Sequence, residues 1–96
     1  MRIPSSVTIG VHRFKVREGT EDETTAHGRM GFFDCKKGEI VIAPGFPKPA
    51  QFETYIHELV EAVNWVYDLN LPHPTIQDLA IGMANAYVSG KGRLGG

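Results

Sequence analysis

Several features that mark secreted, membrane and nucleic-acid-binding proteins are scarce in this sequence. It has one cysteine, Cys35, which rules out an internal disulfide and fits a reducing compartment. Ten lysines and arginines stand against eleven acidic residues, so the basic excess of nucleic-acid binders is missing. No apolar run approaches the roughly 18 residues that cross a membrane, and residues 1–6 lack the apolar part of a signal peptide. We therefore expect a cytoplasmic protein with neither a membrane nor a nucleic-acid partner.

The rest of the composition is that of an ordinary globular protein. Of the 96 residues, 42% are hydrophobic and 22% are charged. A chain of this length has room for one hydrophobic core, so we expect a single domain. A domain of this size buries only about 60–65% of its surface, and its stability will be modest unless a metal or a partner adds to it.

The first half of the chain, residues 3–43, shows the alternating pattern of β-strands. The apolar positions of residues 7–9 and 14–17 are out of phase, which either a tight hairpin around residues 10–13 or a bulge at Gly10 would explain. The acidic run at residues 18–25 has no apolar pattern and predicts an exposed loop. Residues 31–34 and 39–43 predict a second hairpin, in which Gly38 can adopt a positive φ.

The second half predicts two helices after a segment with three prolines, residues 44–49. Residues 50–69 and 75–88 each carry an apolar stripe at helical spacing. In the second helix, the predicted buried stripe consists of Ile76, Leu79, Ala80, Met83, Ala86 and Tyr87. The elements together predict an α+β domain of residues 1–88, with a small antiparallel sheet of three or four strands followed by two packed helices. Residues 89–96 include four glycines, and we expect them to form a disordered tail.

A polar stripe borders the buried face of the first helix. His57 and Glu61 are one helical turn apart and can share one ion, since imidazole nitrogen and carboxylate oxygen are both zinc ligands. Asn64 and Asp68 continue the same stripe. Glu58 points about 100° away from His57, where it can act on a water as a general base. A structural His–Glu contact worth a few tenths of a kcal/mol explains the same pair, and the spacing alone does not decide between the two.

The sequence around these residues resembles a known family. The segment HELVEAVN at residues 57–64 follows a β-rich half and is similar to the small zincin-like metallopeptidase homologues of bacteriophages and prophages. The segments IPSSVTIG at 3–10, EIVI at 39–42 and LPHPTI at 71–76 fit the same pattern, so the resemblance extends from residue 3 to about 88. It implies a minimal gluzincin or ImmA-like core and zinc-dependent hydrolysis of a peptide or protein substrate in the cytoplasm of a bacterial host.

The chain departs from this family in two places. Zincins carry a second histidine where Glu61 stands, which makes the motif here His-Glu-x-x-Glu. Gluzincin-like proteins take a third ligand from an acidic residue of the next helix, but residues 79–87 contain no Asp, Glu or His, and Asp78 points away from the packed face. His73 is the substitute we predict. The expected site therefore has His57, Glu61 and His73 as zinc ligands and Glu58 as the catalytic base.

The length of the first helix limits how close His73 can come to His57. If the first helix continues to residue 69, its end lies about 18 Å from His57 along the axis. Four further residues return at most about 13–14 Å, so the ion must lie near Glu61 or the helix must end early. The alternative is that His73, between two prolines, caps or packs the turn between the helices. His12 and His27 come from the β half, and nothing in the sequence places them.

Two functions from different classes fit these residues. The first is a small zinc-dependent peptidase. The second is a non-catalytic protein that binds a host partner, as a regulator or a modulator of defence, on a degenerate zincin-like core; the missing acidic ligand and the short chain favour it. Trp65 lies opposite the buried stripe of its helix, where an exposed tryptophan indicates a contact surface for a homo-oligomer or a partner. Packing under the N-terminal segment would explain Trp65 equally well.

Overall fold

Four strands precede two helices in the computed structural model, which describes residues 2–90. The α+β class, the four-stranded sheet and the pair of helices are confirmed. In chain order the elements are β1 (Ser6–Ile9), β2 (His12–Glu18), a 3-10 helix (Thr25–His27), β3 (Gly31–Asp34), β4 (Glu39–Ile42), α1 (Lys48–Tyr67) and α2 (His73–Ser89). In the part of the chain that the structure describes, no helix is both long and apolar enough to span a membrane.

The phase change near Gly10 is a hairpin and not a bulge. β1 and β2 are antiparallel, and Ile9 pairs with His12 across a two-residue turn. Gly10 has φ +60°, a conformation that favours glycine at such a turn. The hairpin brings the apolar residues of both strands to one face of the sheet, where Phe14 and Val16 are buried. The slip in the sequence pattern is therefore the signature of the turn.

The sheet is not purely antiparallel, which corrects one part of the prediction. The strand order is β1-β2-β4-β3, and β2 pairs with β4 in parallel, with Val16 opposite Ile40. Consecutive strands do alternate in direction, but β4 enters between β2 and β3 because residues 19–30 carry the chain past it to the sheet edge. β4 is therefore buried on both faces, and β3 becomes an edge strand.

The acidic run is mostly exposed, as predicted, and it forms a hydrogen-bonded turn. Arg17 donates hydrogen bonds to the carboxylates of Glu23, at 2.7 Å, and of Glu39, at 3.1 Å. Glu23 also accepts the backbone N–H of Thr20, and the buried Thr24 hydroxyl donates to the Thr20 carbonyl. Arg17, at the end of β2, therefore fixes the segment between β2 and β3 by its ion pair with Glu23.

The ion pair makes the stability of this turn sensitive to acid. Hydrogen bonds from Arg17 lower the pKa of the Glu23 carboxyl from 4.5 to about 2. A carboxyl whose folded pKa is depressed stabilises the fold above its unfolded pKa and loses that effect as pH falls through the folded one. We expect Glu23→Gln to lower the melting temperature at pH 7 and to lower it less at pH 3, in thermal scans followed by circular dichroism. An equal decrease at both pH values would contradict this.

The two helices begin and end close to the predicted limits. α1 starts two residues earlier than expected, with Pro49 in its first turn, and ends at Tyr67. α2 starts at His73 and not at Thr75, again with a proline in the first turn. It continues through Ser89, so the predicted tail of 89–96 begins inside the helix; residues 91–96 lie outside the described residues. α1 packs on the sheet and contacts β1, β3 and β4.

α2 buries a narrower stripe than predicted. Ile76, Ala80 and Ala84 are buried, because α2 packs mainly against α1 and has little contact with the sheet. The other four members of the predicted stripe are exposed. Leu79, Met83 and Tyr87 are between 42% and 48% exposed, and Ala86 is exposed as well. The expectation failed because periodicity shows which face is apolar but not how much of that face a neighbour covers.

Candidate metal centre

The three predicted metal ligands lie together. His57 and Glu61 face the same side of α1, and His73 is the first residue of α2. Glu61 Oε2 is 3.8 Å from His57 Nε2 and 3.9 Å from His73 Nδ1. One ligand atom from each residue lies within 4.8 Å of the other two. The cluster therefore joins the two helices through two imidazoles and one carboxylate.

The position of the cluster at Glu61, and not at the level of His57, brings His73 into reach. From Glu61 to the end of the helix at Tyr67 is about 9 Å, and the next six residues can return that distance easily. Asp68 and Asn70 both have positive φ values, 51° and 56°, which turn the chain back within a few residues.

The return segment is held by one residue of the polar stripe. Asn64 Oδ1 accepts the backbone N–H of Leu71 at 2.9 Å, and the Asn64 carbonyl accepts that of Leu69. His73 does not cap the turn, since its imidazole packs against His57 with the ring centroids 5.5 Å apart. Capping is therefore excluded, whereas the contacts of His73 with His57 and Glu61 fit both a metal ligand and a side chain that packs at the turn between the helices.

Glu58 lies on the adjoining face of α1 and is the buried acid of the site. Its side chain is 9% exposed. Burial raises the pKa of its carboxyl from 4.5 to about 7, the negative charge of Glu61 adds to the increase, and Arg29 opposes it. A carboxyl with a pKa near neutrality can both accept and return a proton at physiological pH, as a general base must. Glu58 is therefore a buried carboxyl with a raised pKa in the metal-free protein, and its catalytic role stays a prediction.

A cleft of about 770 Å³ contains all four residues. Its walls are the two helices and the segment from Gly28 to Phe33, so the edge strand β3 forms one side. The N–H of Ala43 donates a hydrogen bond to the carbonyl of Met30. In an antiparallel pair, residues that bond to the neighbouring strand alternate with residues that face away from it, so Phe32 bonds to β4 and Gly31 and Phe33 do not. Gly31 and Phe33 therefore direct their backbone N–H and C=O groups to the open edge of the sheet.

Gly31 sets the distance between β3 and α1. A Cβ atom at this position would lie 2.6 Å from Thr54 Cγ2 and 2.8 Å from the Val41 carbonyl oxygen. Gly31 was not among the predicted site residues, although a glycine in a strand is a recognised sign of a close backbone approach. Its missing side chain brings the edge strand close to the helix that carries Glu58.

Gly31 and Gly82 form a matched pair of substitutions. Gly31→Ala should lower the free energy of unfolding by about 1–3 kcal/mol, because the added methyl group overlaps backbone and side-chain atoms. Gly82→Ala should raise it by about 0.5–1 kcal/mol, since Gly82 is inside α2 with nothing within 4 Å of its Cβ position. Urea denaturation measures both. Changes of the same sign would contradict the assigned contacts.

The remaining candidates lie away from the cluster. His12 packs against Phe14 and Trp65, and His27 is exposed in the 3-10 helix. Cys35 is an exposed free thiol in the turn between β3 and β4. Neither histidine belongs to the described metal-ligand group.

Trp65 is 45% exposed and packs edge-on against rings of two strands. The partners are His12 and Phe14 on β2 and Phe33 on β3. One side of the Trp65 ring therefore covers aromatic residues of β2 and β3, and the rest of the ring is exposed to solvent. Self-association through this surface stays a prediction.

Arg29 lines the same cavity as the metal-ligand group, and no motif or periodicity in the sequence marks it. No family model matches the chain, and neither a curated protein nor a solved structure does, so the function is argued from the geometry of this site.

Proposed function

We propose that the protein is a small zinc-dependent peptidase with a single metal held by His57, Glu61 and His73. The observation that carries the proposal is the convergence of these three side chains from two helices beside the buried carboxyl of Glu58. The resemblance of residues 57–64 to the zincin-like phage homologues supports the same assignment. Two histidines and one glutamate are also a ligand set that catalytic zinc uses in known peptidases.

The donor atoms suit zinc in kind, and their spacing is wider than a bound ion needs. In a tetrahedral zinc site with bonds of 2.0–2.2 Å, ligand atoms lie about 3.4 Å apart. Glu61 lies 3.8 and 3.9 Å from the two imidazole nitrogens, and all three ligand atoms lie within 4.8 Å of one another, so the side chains would have to rotate toward one another to bind one ion. Zinc bound there would supply Lewis-acid polarisation of a peptide carbonyl and of a water. Such catalytic sites keep one position open for water or substrate, and three protein ligands leave it open.

The chain itself supplies the proton transfers and the binding of substrate. Glu58, buried beside the cluster, would take a proton from the attacking water and return it to the departing amine. The open edge of β3 offers backbone donors and acceptors at Gly31 and Phe33, to which an extended peptide can add as a further strand. We place the activity in the cytoplasm of a bacterial host, where the exposed thiol of Cys35 stays reduced.

The test is hydrolysis of a mixture of short peptides by the purified chain, followed by mass spectrometry. We expect the zinc-loaded protein to cleave peptides, the EDTA-treated protein to be inactive, and added zinc to restore cleavage. The matched control is Asp78→Asn, which removes an exposed acid of α2 that does not line the cleft and should leave cleavage near the wild-type rate. Cleavage that is unaffected by EDTA, or absent with stoichiometric zinc bound, would rule out the proposal.

A non-catalytic interaction protein is the second candidate. It is favoured by α2, on which Leu79, Met83 and Tyr87 are nearly half exposed and residues 79–89 carry no charge. Under this candidate, Glu58→Gln leaves the biological effect of the protein unchanged, whereas Met83→Asp removes it without lowering the melting temperature. Under the peptidase proposal, Glu58→Gln removes the biological effect and Met83→Asp leaves it unchanged.

A further inference from the structure

Arg29 has a position that neither the metal-ligand group nor Glu58 explains. Its guanidinium carbon is 3.9 Å from the centroid of the Phe32 ring, which is a cation–π contact. Its Nε donates to the backbone carbonyl of Glu23 at 3.0 Å. Glu23 is itself fixed by the ion pair with Arg17. The guanidinium is therefore held on two sides, by a ring and by a carbonyl on an anchored turn.

The fixed guanidinium keeps most of its donors free. Arginine has five N–H donors, and Nε uses one of them. Within residues 2–90, neither terminal nitrogen of Arg29 donates a side-chain hydrogen bond, so four donors are available on the side that faces solvent and the cleft. An arginine fork of this kind matches the two oxygens of a carboxylate.

The charges of the cleft make Arg29 the natural partner of an anion. Among the described residues that line it, Arg29 is the only lysine or arginine. The other ionisable side chains there are the acids Glu53, Glu58 and Glu61 and the two histidines of the metal-ligand group. The charge of Arg29 already acts on Glu58, since it opposes the rise of that carboxyl's pKa. The guanidinium of Arg29 is therefore the one permanently charged cation that the described lining offers to an anionic group, and its orientation is fixed by Phe32 and by the Glu23 carbonyl.

We propose that Arg29 binds a carboxylate of the substrate, so that the cleft selects peptides with a carboxylate close to the segment that lies beside Glu58. This inference rests on the proposed peptidase function and names its substrate class. The carboxylate comes from one of two sources, the free C-terminus of the peptide or an aspartate or glutamate side chain. Both present the same pair of oxygens to the guanidinium.

The test compares matched peptides by titration into the ¹⁵N-labelled full chain, followed by amide chemical shifts. One pair is acetyl-trialanine with a free or an amidated C-terminus. The other pair is acetyl-Ala-Asp-Ala-amide and acetyl-Ala-Asn-Ala-amide. EDTA is present throughout, so that zinc cannot bind the carboxylate and the result does not depend on metal binding. We expect the carboxylate member of at least one pair to bind about tenfold more tightly, and the pair that discriminates identifies the source.

Two variants assign the preference to Arg29. Arg29→Gln should reduce the preference to near unity, whereas Arg13→Gln, which removes the same charge from β2, should keep it. Equal affinity within both pairs, no binding of any of the four peptides, or a preference retained in Arg29→Gln would each overturn the proposal. Failure of the peptidase function appears separately, as absent hydrolysis with zinc or as zinc binding that does not need His57 and His73.

Discussion

Zinc is expected to raise the melting temperature of the wild-type protein, and alanine at either His57 or His73 is expected to abolish most of that increase. A ligand that binds only the folded state at 100 times its dissociation constant adds about 2.7 kcal/mol of stability. In a domain of this size, each kcal/mol shifts the melting temperature by about 4–8 °C, so the wild-type increase should be roughly 10–20 °C. The effect is large because the ion would join the start of α2 to the middle of α1.

The histidine series contains its own control. His27→Ala removes an exposed imidazole of the 3-10 helix that lies outside the cluster, and it should keep the full effect of zinc. Differential scanning calorimetry with and without EDTA measures the shift, and elemental analysis of the dialysed protein gives the stoichiometry. Sub-stoichiometric zinc, or an equal shift in His57→Ala and wild type, would show that the metal is not bound by these ligands.

Glu58→Gln is expected to stabilise the metal-free fold at high pH and to reduce peptide cleavage by a factor of about 10²–10⁴. The folded pKa of about 7 lies above the unfolded value of 4.5, so the folded state holds the extra proton. The wild type therefore loses stability as pH rises from 4.5 to 7, by about 3 kcal/mol in total. Glutamine keeps the shape without the charge, so the variant should be close to wild type at pH 4.5 and more stable at pH 8.

Two measurements check this second prediction. Urea denaturation at pH 5 and pH 8 in the presence of EDTA gives the stability difference, and Glu53→Gln, an exposed acid one turn earlier, serves as the comparison. Peptide cleavage by the zinc-loaded variant should fall by a factor of about 10²–10⁴, the usual contribution of a general base. A variant that cleaves at the wild-type rate would remove Glu58 from the mechanism, and one that is no more stable at pH 8 would contradict its burial.

The sequence was informative wherever a local pattern decides the structure. Alternation located all four strands, helical spacing placed His57 and Glu61 on one face, and the phase slip at Gly10 marked the hairpin. The order of strands in the sheet was out of reach, because the place of β4 between β2 and β3 depends on the long connection before it. The exposure of α2 was equally hidden, since it depends on how little of the sheet that helix touches.

The sequence allowed the candidate metal ligands to be named, but not the residues that line the cleft around them. His73 was chosen as the substitute for an acidic ligand that the second helix lacks. Its distance from His57 depended on two residues with positive φ, Asp68 and Asn70, which the sequence does not specify. Arg29 belongs to a turn whose shape comes from the Arg17–Glu23 ion pair, and nothing in its immediate neighbourhood marks it.

The insertion of β4 between β2 and β3 also has a consequence for the order of assembly. β3 and β4 are joined by a four-residue turn, whereas β2 and β4 pair across about 24 residues of chain. Loop-closure entropy favours the short hairpin first, which leaves β2 with an unpaired edge until the hairpin docks. Lys15 and Arg17 place positive charge along that strand, which discourages pairing with another copy. In the folded sheet Glu39 accepts a hydrogen bond from Arg17, so a charge expected to discourage pairing of the free edge also contributes to the register of β4.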